Sequence, residues 1–417
     1  MKKTIMMSAF CAGLAYGDVA QLLDADKRTF DNSKYIPDIS LIADIAYVSH
    51  SIDSDELPHL ELPGIAHGLL GEHTHGDSHH ATYNANQGFN LNYAELVLSS
   101  SVDPYFSMDG TFHFSENGVE VEEAYATTTA LGNGLRLRGG KLLSNFGRLN
   151  SQHHHYWDFN DMPLVYEGFL GMHGINELGA QLQWTAPTSN YLMAGFEVLQ
   201  GENEQMFGNA SVFSDNQEEP VVEGTKAPSL FVGYLKSSFD IENTTIFGGV
   251  SYAQGDSLLD HSDDEDEPHV FKGESKLFGA DLTVLHAFDS YSSIKWQTEY
   301  LKRKMTGYDY NATNGIEIDD GSTTQDGLYT QLVYKIDNSW QMGVRYDTIL
   351  DNGNAEHQDG LDKYSAMIEY HTSEFARFRL QYNYNKALFN DEGERENLHS
   401  IIFSANIAIG AHAAHAF

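Results

Sequence analysis

The last stretch of the chain, residues 399–417, alternates between apolar and polar side chains along almost its whole length. Counting back from Phe417 to Ile401 in steps of two, nearly every residue is apolar, whereas the positions between them include Ser404, Asn406 and Gly410. A period of two predicts a β-strand. Because so long an apolar face is an aggregation hazard outside a closed barrel in a membrane, we predict an all-β fold, a transmembrane antiparallel β-barrel.

Both ends of the chain predict export. A terminal phenylalanine on such a strand resembles the sorting signature of Gram-negative outer-membrane barrels. At the other end, Lys2 and Lys3 precede a short apolar run that is followed by the small residues Ala15 and Gly17, as in a cleaved signal peptide. We predict a signal peptide over residues 1–17, a short periplasmic N-terminal segment over 18–36 and a single barrel domain over 37–417. Outer-membrane lipid, lipopolysaccharide and the barrel assembly machinery are the expected partners.

The number of strands decides which class of barrel the sequence encodes. Alternating segments joined by connections that are short and long in turn predict about 16 strands, with short periplasmic turns and long extracellular loops. We place them near residues 37–50, 89–102, 104–115, 118–131, 134–147, 177–187, 189–200, 227–240, 242–256, 273–288, 290–305, 325–337, 339–351, 361–373, 375–388 and 396–417. Sixteen strands enclose a channel, so the barrel is predicted to be porin-like. A soluble sandwich or lipocalin is disfavoured because the second face of the strands is polar and charged.

Charge and length exclude further classes. The chain has 24 basic and 60 acidic residues, a net charge of -36, which argues against nucleic acid as a partner. A TonB-dependent receptor has 22 strands and an N-terminal plug, but only about twenty residues of mature chain precede the first strand here. A plug of that kind is therefore not expected.

The alternation also predicts which charged side chains face the lumen. The predicted pore-lining residues are Arg136, Arg138, Arg345, Lys363, Glu369, Arg377 and Arg379, together with Asp161 from the connection after the fifth strand. That connection, residues 148–176, is a predicted constriction loop, because in general porins an acidic loop at this point faces arginines on the wall. Alternatively, the charges only pair with one another and solvate a wide lumen. The second and eighth strands carry apolar residues on both faces and resist phasing.

Clustered histidines are the second unusual signal. A predicted His-rich loop, residues 51–88, contains His73, His75, His79 and His80, and the constriction loop contains His153 and His155 with Asp158 nearby. Imidazole is a common ligand of zinc, so these residues are the predicted metal ligands. We expect the His-rich loop to be mobile, and incidental weak binding is an equal alternative there. A third run, in the acidic loop 257–272, is more typical of a solvated loop.

The segments Val102-Asp103-Pro104-Tyr105-Phe106 and Phe146-Gly147-Arg148, and the run Asn150-Ser151-Gln152-His153-His154-His155-Tyr156-Trp157-Asp158, carry a family resemblance. They resemble proteobacterial outer-membrane proteins labelled zinc-regulated TonB-dependent outer membrane receptors. The resemblance implies a single porin-like barrel connected with divalent metal, with the family's Asn-x-x-His-x-His pattern on Asn150, His153 and His155. The receptor label conflicts with the missing plug.

These observations together predict a porin-like channel for passive uptake of small solutes, linked to zinc acquisition, and not an enzyme. No cofactor is required, zinc or another divalent cation is a possible ligand, and a homotrimer is expected by analogy with porins. The alternatives are a TonB-dependent-type or surface metal-binding receptor without channel activity and, less favoured, an outer-membrane hydrolase that uses His153 with Asp158 or Asp161 as base and orienting group.

Overall fold

The computed structural model describes residues 37–54, 56–67, 83–84, 86–116, 118–203, 205–213, 219–262, 268–353, 359–390 and 392–410. The predicted signal peptide 1–17, the N-terminal segment 18–36 and the terminal residues 411–417 lie outside this part of the chain. So do four of the predicted metal ligands, His73, His75, His79 and His80.

The described chain folds into a closed antiparallel barrel of sixteen long strands. These are β1 (Asp38–His50), β2 (Gly88–Ser101), β3 (Phe106–Ser115), β4 (Gly118–Thr128), β5 (Leu135–Leu143), β6 (Asn176–Thr185), β7 (Tyr191–Leu199), β8 (Leu230–Ile241), β9 (Thr244–His261), β10 (His269–Ala287), β11 (Ser293–Asn311), β12 (Thr323–Lys335), β13 (Trp340–Asp351), β14 (Asp362–Ser373), β15 (Ala376–Phe389) and β16 (Arg395–Gly410). The ring closes because β1 pairs with both β2 and β16. The predicted fold class and strand number are confirmed.

The outer face of the barrel is apolar and the inner face is polar. On β13, Trp340, Met342 and Val344 are exposed, whereas the next residue, Arg345, is buried toward the interior. Neighbouring strands place aromatic rings beside one another on the outside, as in the pair Trp340–Tyr370, whose centroids are 4.6 Å apart. An apolar outer band with aromatic residues near its edges is the surface that a lipid bilayer requires.

Two β-bulges place consecutive side chains on the inner face. One bulge leaves Asn92 of β2 opposite no residue of β1, and the other leaves Glu122 of β4 opposite no residue of β3. A bulge interrupts the alternation between faces, so Asn92 and Tyr93 are both buried, as are Glu122 and Glu123. The bulge in β2 is the reason that the second strand resists phasing from sequence.

Three strands on one side extend farther than the sequence predicts. β9 continues to His261 and β10 begins at His269, so the predicted acidic loop 257–272 is wrong in extent: only residues 262–268 connect the two strands. Buried contacts among Leu259, Phe271 and Met305 hold this outer part of the sheet together. β9, β10 and β11 contain 18, 19 and 19 residues, whereas β3, β4 and β5 contain 10, 11 and 9.

The connection between β5 and β6, residues 144–175, lies inside the ring and is called the infolded segment. It contains one short helix, α1 (Leu164–Leu170), whose residues are all buried, and a turn of 3₁₀ helix at His154–Tyr156. Its groups bond to strands all around the wall, at Tyr93, Glu122, Glu197, Ser251, Glu299, Asp347, Gln381 and Ser404. A segment that reaches so many strands of a closed ring can only occupy its interior. Among the described residues, no helix combines the length and apolar character needed to cross a bilayer.

Part of the predicted His-rich loop also packs inside. A 3₁₀ turn at Leu57–His59 and a short hairpin, Glu61–Leu62 with Ala66–His67, bury Leu57, Leu60 and Leu62 against the apolar residues of the infolded segment. The expectation of a mobile loop is therefore wrong for residues 57–67, because their apolar side chains form one core with α1. A further short strand, Glu317–Asp320, pairs with β11.

Candidate metal centre inside the barrel

A cluster of carboxylate and imidazole groups lies where the infolded segment meets the wall strands β2, β3 and β4. The wall contributes Glu95 from β2, His113 from β3 and the bulged pair Glu122 and Glu123 from β4. Glu95 and His113 are opposite one another in the ladder, so their side chains share one face. All four residues are buried. We call these residues, with His153 and His155, the Glu/His cluster.

The infolded segment contributes His153 and His155. His153 precedes the 3₁₀ turn with extended backbone, and the turn places His155 beside it, with the two rings stacked at 5.7 Å. His153 bonds through Nδ1 to Glu122 at 2.7 Å and through Nε2 to Glu123 at 2.9 Å. His155 Nδ1 lies 3.1 Å from Glu95. The cluster therefore joins the segment to the wall.

Two carboxylate oxygens are the hubs of this arrangement. Oε2 of Glu122 is 3.0 Å from Nε2 of His113 and also contacts His153, and Oε2 of Glu95 is 3.1 Å from the same His113 nitrogen and also contacts His155. One ligand atom from each of Glu95, His113 and Glu122 lies within 4.8 Å of the others. The second oxygen of Glu95, Oε1, is buried and has no hydrogen-bond partner among the described residues. Nitrogen and oxygen donors at this spacing are suited to a divalent transition metal.

Aromatic neighbours fix the orientation of the imidazoles. The ring of His113 stacks on Tyr93 with 4.5 Å between centroids and 5° between planes. The Tyr93 hydroxyl in turn bonds to Nδ1 of His154 at 3.0 Å, and the other ring nitrogen of His154 bonds to the Asn160 carbonyl. The remaining histidine of the triplet, His154, is thus held by neutral groups and has a structural role. The bulge in β2 directs its tyrosine partner, Tyr93, inward.

The cluster is acidic apart from its histidines. Among the described residues, Glu95, Glu122 and Glu123 form ion pairs with histidines alone, and no lysine or arginine compensates them. Burial opposes charge on His153, but Glu122 and Glu123 outweigh this effect and hold the pKa of His153 well above its usual value. Burial lowers the pKa of His154, which is consistent with its neutral partners.

Of the predicted metal ligands, the structure brings His153 and His155 together but excludes Asp158. Its carboxylate lies 2.7 Å from Nζ of Lys295 and accepts a hydrogen bond of the same length from Gln331, on β11 and β12. The prediction failed for Asp158 because nearness in sequence does not give the direction of a side chain beyond the 3₁₀ turn.

The predicted pore-lining charges on β13, β14 and β15 are buried beneath the infolded segment. Asp161 pairs with Lys363 at 2.6 Å and with Arg345 at 3.1 Å, and these two cations hold the pKa of Asp161 well below its usual range although burial opposes its charge. Glu369 pairs with Arg379 at 2.5 Å and with Arg377 at 3.8 Å. These charges therefore bind the segment as well as one another.

Arg136 and Arg138 of β5 are only partly buried. Arg136 donates to the side chain of Gln183, and the guanidinium of Arg138 lies 4.8 Å from the ring centre of Tyr125. On this side of the barrel, Lys141 and Glu120 also remain partly exposed, 3.8 Å apart. That these side chains line a pore stays a prediction.

Two further anchors hold the infolded segment. Glu299 of β11 accepts the backbone N–H groups of Arg148 and Leu149 and the hydroxyl of Tyr166. Asn150 bonds to the backbone at both ends of the segment, at Ser144 and Ile175, and so closes its neck. Asn150 is thus a structural residue in this arrangement, although the family resemblance groups it with His153 and His155.

Sequence reasoning did not identify Glu95, His113, Glu122 and Glu123 as a group. One signal was available: His113 alternates with the apolar Phe112 and Phe114 on a strand that otherwise suits lipid, so it had to face inward. The inward position of both Glu122 and Glu123 could not be read from alternation, because it depends on the bulge.

Comparisons with known proteins agree with this architecture. No protein-family profile matches the chain. The anion-selective porin from Comamonas acidovorans superposes with a TM-score of 0.50 at 10% identity, covering 89% of this chain and 99% of that porin. OmpF from Salmonella typhi, in complex with daunomycin, gives 0.50 at 12% identity, covering 91% and 99%. At such identities the likeness shows the fold alone.

A closed sixteen-stranded barrel with an apolar outer band is the architecture of outer-membrane porins, and the protein is located in the outer membrane of Gram-negative bacteria. An uncharacterised protein of Aquifex aeolicus (strain VF5) is 43% identical over 394 residues, which are 93% of this chain and 81% of that protein. The chain belongs to the same family as this Aquifex aeolicus protein.

Proposed function

We propose that the protein is a narrow outer-membrane channel for passive uptake of small solutes. The observation that carries this proposal is the position of the infolded segment, which occupies the interior of a closed barrel with a polar inner face. A solute that crosses the barrel has to pass between this segment and the wall. The segment therefore sets the bore, and the wide aqueous lumen of an unfilled barrel of this size is not expected.

The passage that we propose lies beside β4 and β5. The inward charges of β13 to β15 are covered by the segment, whereas Arg136, Arg138 and Lys141 keep partial exposure. The basic side chains of β5 and the acidic side chains of the neighbouring β4 create a transverse field, which favours small polar solutes over apolar ones. The Glu/His cluster lies next to this side of the wall and supports a link to divalent metal, zinc first. A homotrimer remains part of the proposal by analogy with porins.

A second candidate function is a metal-binding receptor without channel activity. The apolar core shared by residues 57–67 and α1 favours it, because the interior is packed like that of a soluble domain on that side. The hydrolase alternative is disfavoured because its two candidate orienting groups bond elsewhere, Asp158 to Lys295 and Asp161 to Lys363 and Arg345.

Planar-bilayer recording with the purified chain separates the two candidates. A channel gives discrete steps, and liposome swelling then sets the solute size, with small sugars entering faster than large ones. Persistently silent membranes, with a barrel shown to be folded by its heat-modifiable electrophoretic mobility, would reject the channel and leave the receptor.

A further inference from the structure

We propose that Glu95, His113 and Glu122 bind one divalent transition-metal ion, and that His153 and His155 complete the site from the infolded segment. Metal binding then fastens the segment to strands β2, β3 and β4. The effect on conductance rests on the proposed channel function, whereas binding itself does not.

The distances suit such a site. Ligand atoms in a tetrahedral zinc site lie about 2.1 Å from the metal and hence about 3.4 Å from one another. The contacts of His113 Nε2 to the two hub oxygens are 3.0 and 3.1 Å, and those of His153 Nδ1 and His155 Nδ1 to the same oxygens are 2.7 and 3.1 Å. Shifts of about 0.3 to 0.7 Å turn these hydrogen-bond distances into the edges of a coordination polyhedron.

An unused buried acceptor points to a ligand. Glu95 is 1% exposed, and within the part of the chain that the structure describes its Oε1 has no hydrogen-bond partner. An unpaired carboxylate oxygen in the interior costs free energy unless something compensates it. A cation bound at Glu95 removes this cost, and it also compensates the excess negative charge of the three glutamates when the histidines are neutral.

The donor set selects the class of metal. Two carboxylates with up to three imidazoles are ligands for zinc and its neighbours in the first transition row, whereas magnesium and calcium prefer sites built from oxygen alone.

The wall part of the site is held in place before metal arrives. His113 is stacked on Tyr93, Glu95 is fixed opposite His113 in the ladder, and the bulge directs Glu122 inward.

The ligands belong to two different parts of the molecule. Glu95, His113 and Glu122 are parts of the barrel wall, whereas His153 and His155 are carried by the infolded segment. A bound metal ion therefore adds a link between the infolded segment and strands β2 to β4, next to the passage proposed beside β4 and β5. With metal bound, we expect the segment to stay against the wall. Without metal, this side of the segment is held by the ion pairs of the cluster and by the hydrogen bond between Tyr93 and His154.

The first test is zinc binding by the intact folded chain in detergent, measured by calorimetry and by metal analysis after dialysis against a chelator. A variant with His73, His75, His79 and His80 all changed to alanine separates the cluster from the His-rich loop. We expect this variant to keep about one zinc per chain, and Glu95→Gln or His113→Gln within it to weaken binding by about tenfold or more. His286→Gln, on the far wall and hydrogen-bonded to Thr244, is the matched control and should bind as before.

Loss of all binding in the four-histidine variant, or equal affinity in the Glu95→Gln and His286→Gln chains, would overturn the site. If the wall variants fold poorly, His155→Gln on the segment replaces them, and X-ray absorption at the zinc edge must show both nitrogen and oxygen ligands. A spectrum of oxygen ligands alone also rejects the proposal.

The second test is bilayer conductance with and without zinc. We expect zinc to change the single-channel conductance of the four-histidine variant and to leave that of the same chain with Glu95→Gln unchanged. Binding without any change in conductance overturns the fastening role but not the site. Silent membranes with normal zinc binding reject the channel function and leave the metal site intact.

Discussion

Replacing Glu299 with glutamine is expected to loosen the infolded segment. Oε2 of Glu299 accepts the backbone N–H of Arg148 at 2.7 Å and the hydroxyl of Tyr166 at 2.8 Å. Oε1 accepts the backbone N–H of Leu149 at 3.0 Å and the hydroxyl of Tyr329 at 2.5 Å. Glutamine keeps one of these oxygens. A tyrosine hydroxyl can rotate to accept from the new amide nitrogen, but a backbone N–H cannot, so one buried N–H loses its acceptor.

The expected loss of docking free energy follows from the one N–H group that loses its acceptor. A buried donor left without a partner costs about 1–3 kcal/mol, so we take about 2 kcal/mol for the free energy of docking the segment. Because 1.4 kcal/mol is a factor of ten, the undocked population rises about 30-fold. Trypsin cleavage after Arg148, followed by mass spectrometry, reports this population when opening and closing are faster than cleavage. We expect the cut between residues 148 and 149 to form about 30 times faster.

The matched control is Glu274→Gln. Glu274 lies on β10, one strand away, and its ion pair with Lys276 is largely exposed, so its loss should have little effect. Heat-modifiable mobility must be the same in all three chains, which shows that the barrel is intact. A cleavage rate for Glu299→Gln within about twofold of the unchanged chain, the range of an ordinary surface substitution, would refute the reasoning.

Three further predictions concern the segment and the wall. Burial raises the pKa of Glu167 from 4.5 to about 7, so docking is favoured at low pH and weakens by about 3 kcal/mol as the pH rises from about 4.5 to about 7. Glu167→Gln should flatten this dependence in hydrogen exchange of the α1 amides, and an unchanged slope contradicts it. Asp161→Asn removes a carboxylate from Arg345 and Lys363 and should cost about 3 kcal/mol of docking, measured by the same tryptic cleavage; an unaltered rate would be inconsistent with it. Gly140→Ala should impair refolding, because the new Cβ meets the Ala124 carbonyl oxygen at 2.1 Å and φ is 141°, whereas Gly139→Ala has open space and should refold normally; equal refolding yields would contradict the steric argument.

The barrel was predictable from sequence because lipid imposes a simple rule. Every wall position faces either hydrocarbon or the interior, so Trp340, Met342 and Val344 fix the phase of β13 without knowledge of the rest of the chain. The rule fails for those parts of a strand that lie outside the bilayer, because no lipid contacts them. Above the bilayer, β9 and β10 carry adjacent apolar residues, Leu258 with Leu259 and Val270 with Phe271, instead of a regular alternation, and the prediction therefore made these strands too short.

The candidate site was only partly predictable, for a different reason. The triplet 153–155 was visible as a histidine run, but its partners are on strands 30 to 60 residues away in sequence. His113 could be inferred from its position between two phenylalanines. Alternation places Glu122 on the inner face, but it cannot show that Glu123 faces inward as well. That depends on the one extra residue of the bulge in β4, which no sequence pattern marks.

The unequal lengths of the strands have a consequence for access from outside the cell. Ten-residue strands only cross the hydrocarbon layer, whereas the 19 residues of β10 and β11 rise about 20 Å higher at the usual strand tilt. The outer opening is therefore bevelled, with its low edge at β3 to β7, which contain 9 to 11 residues each. A solute or ion diffusing along the cell surface meets the mouth first at this low edge, and the Glu/His cluster lies directly beneath it.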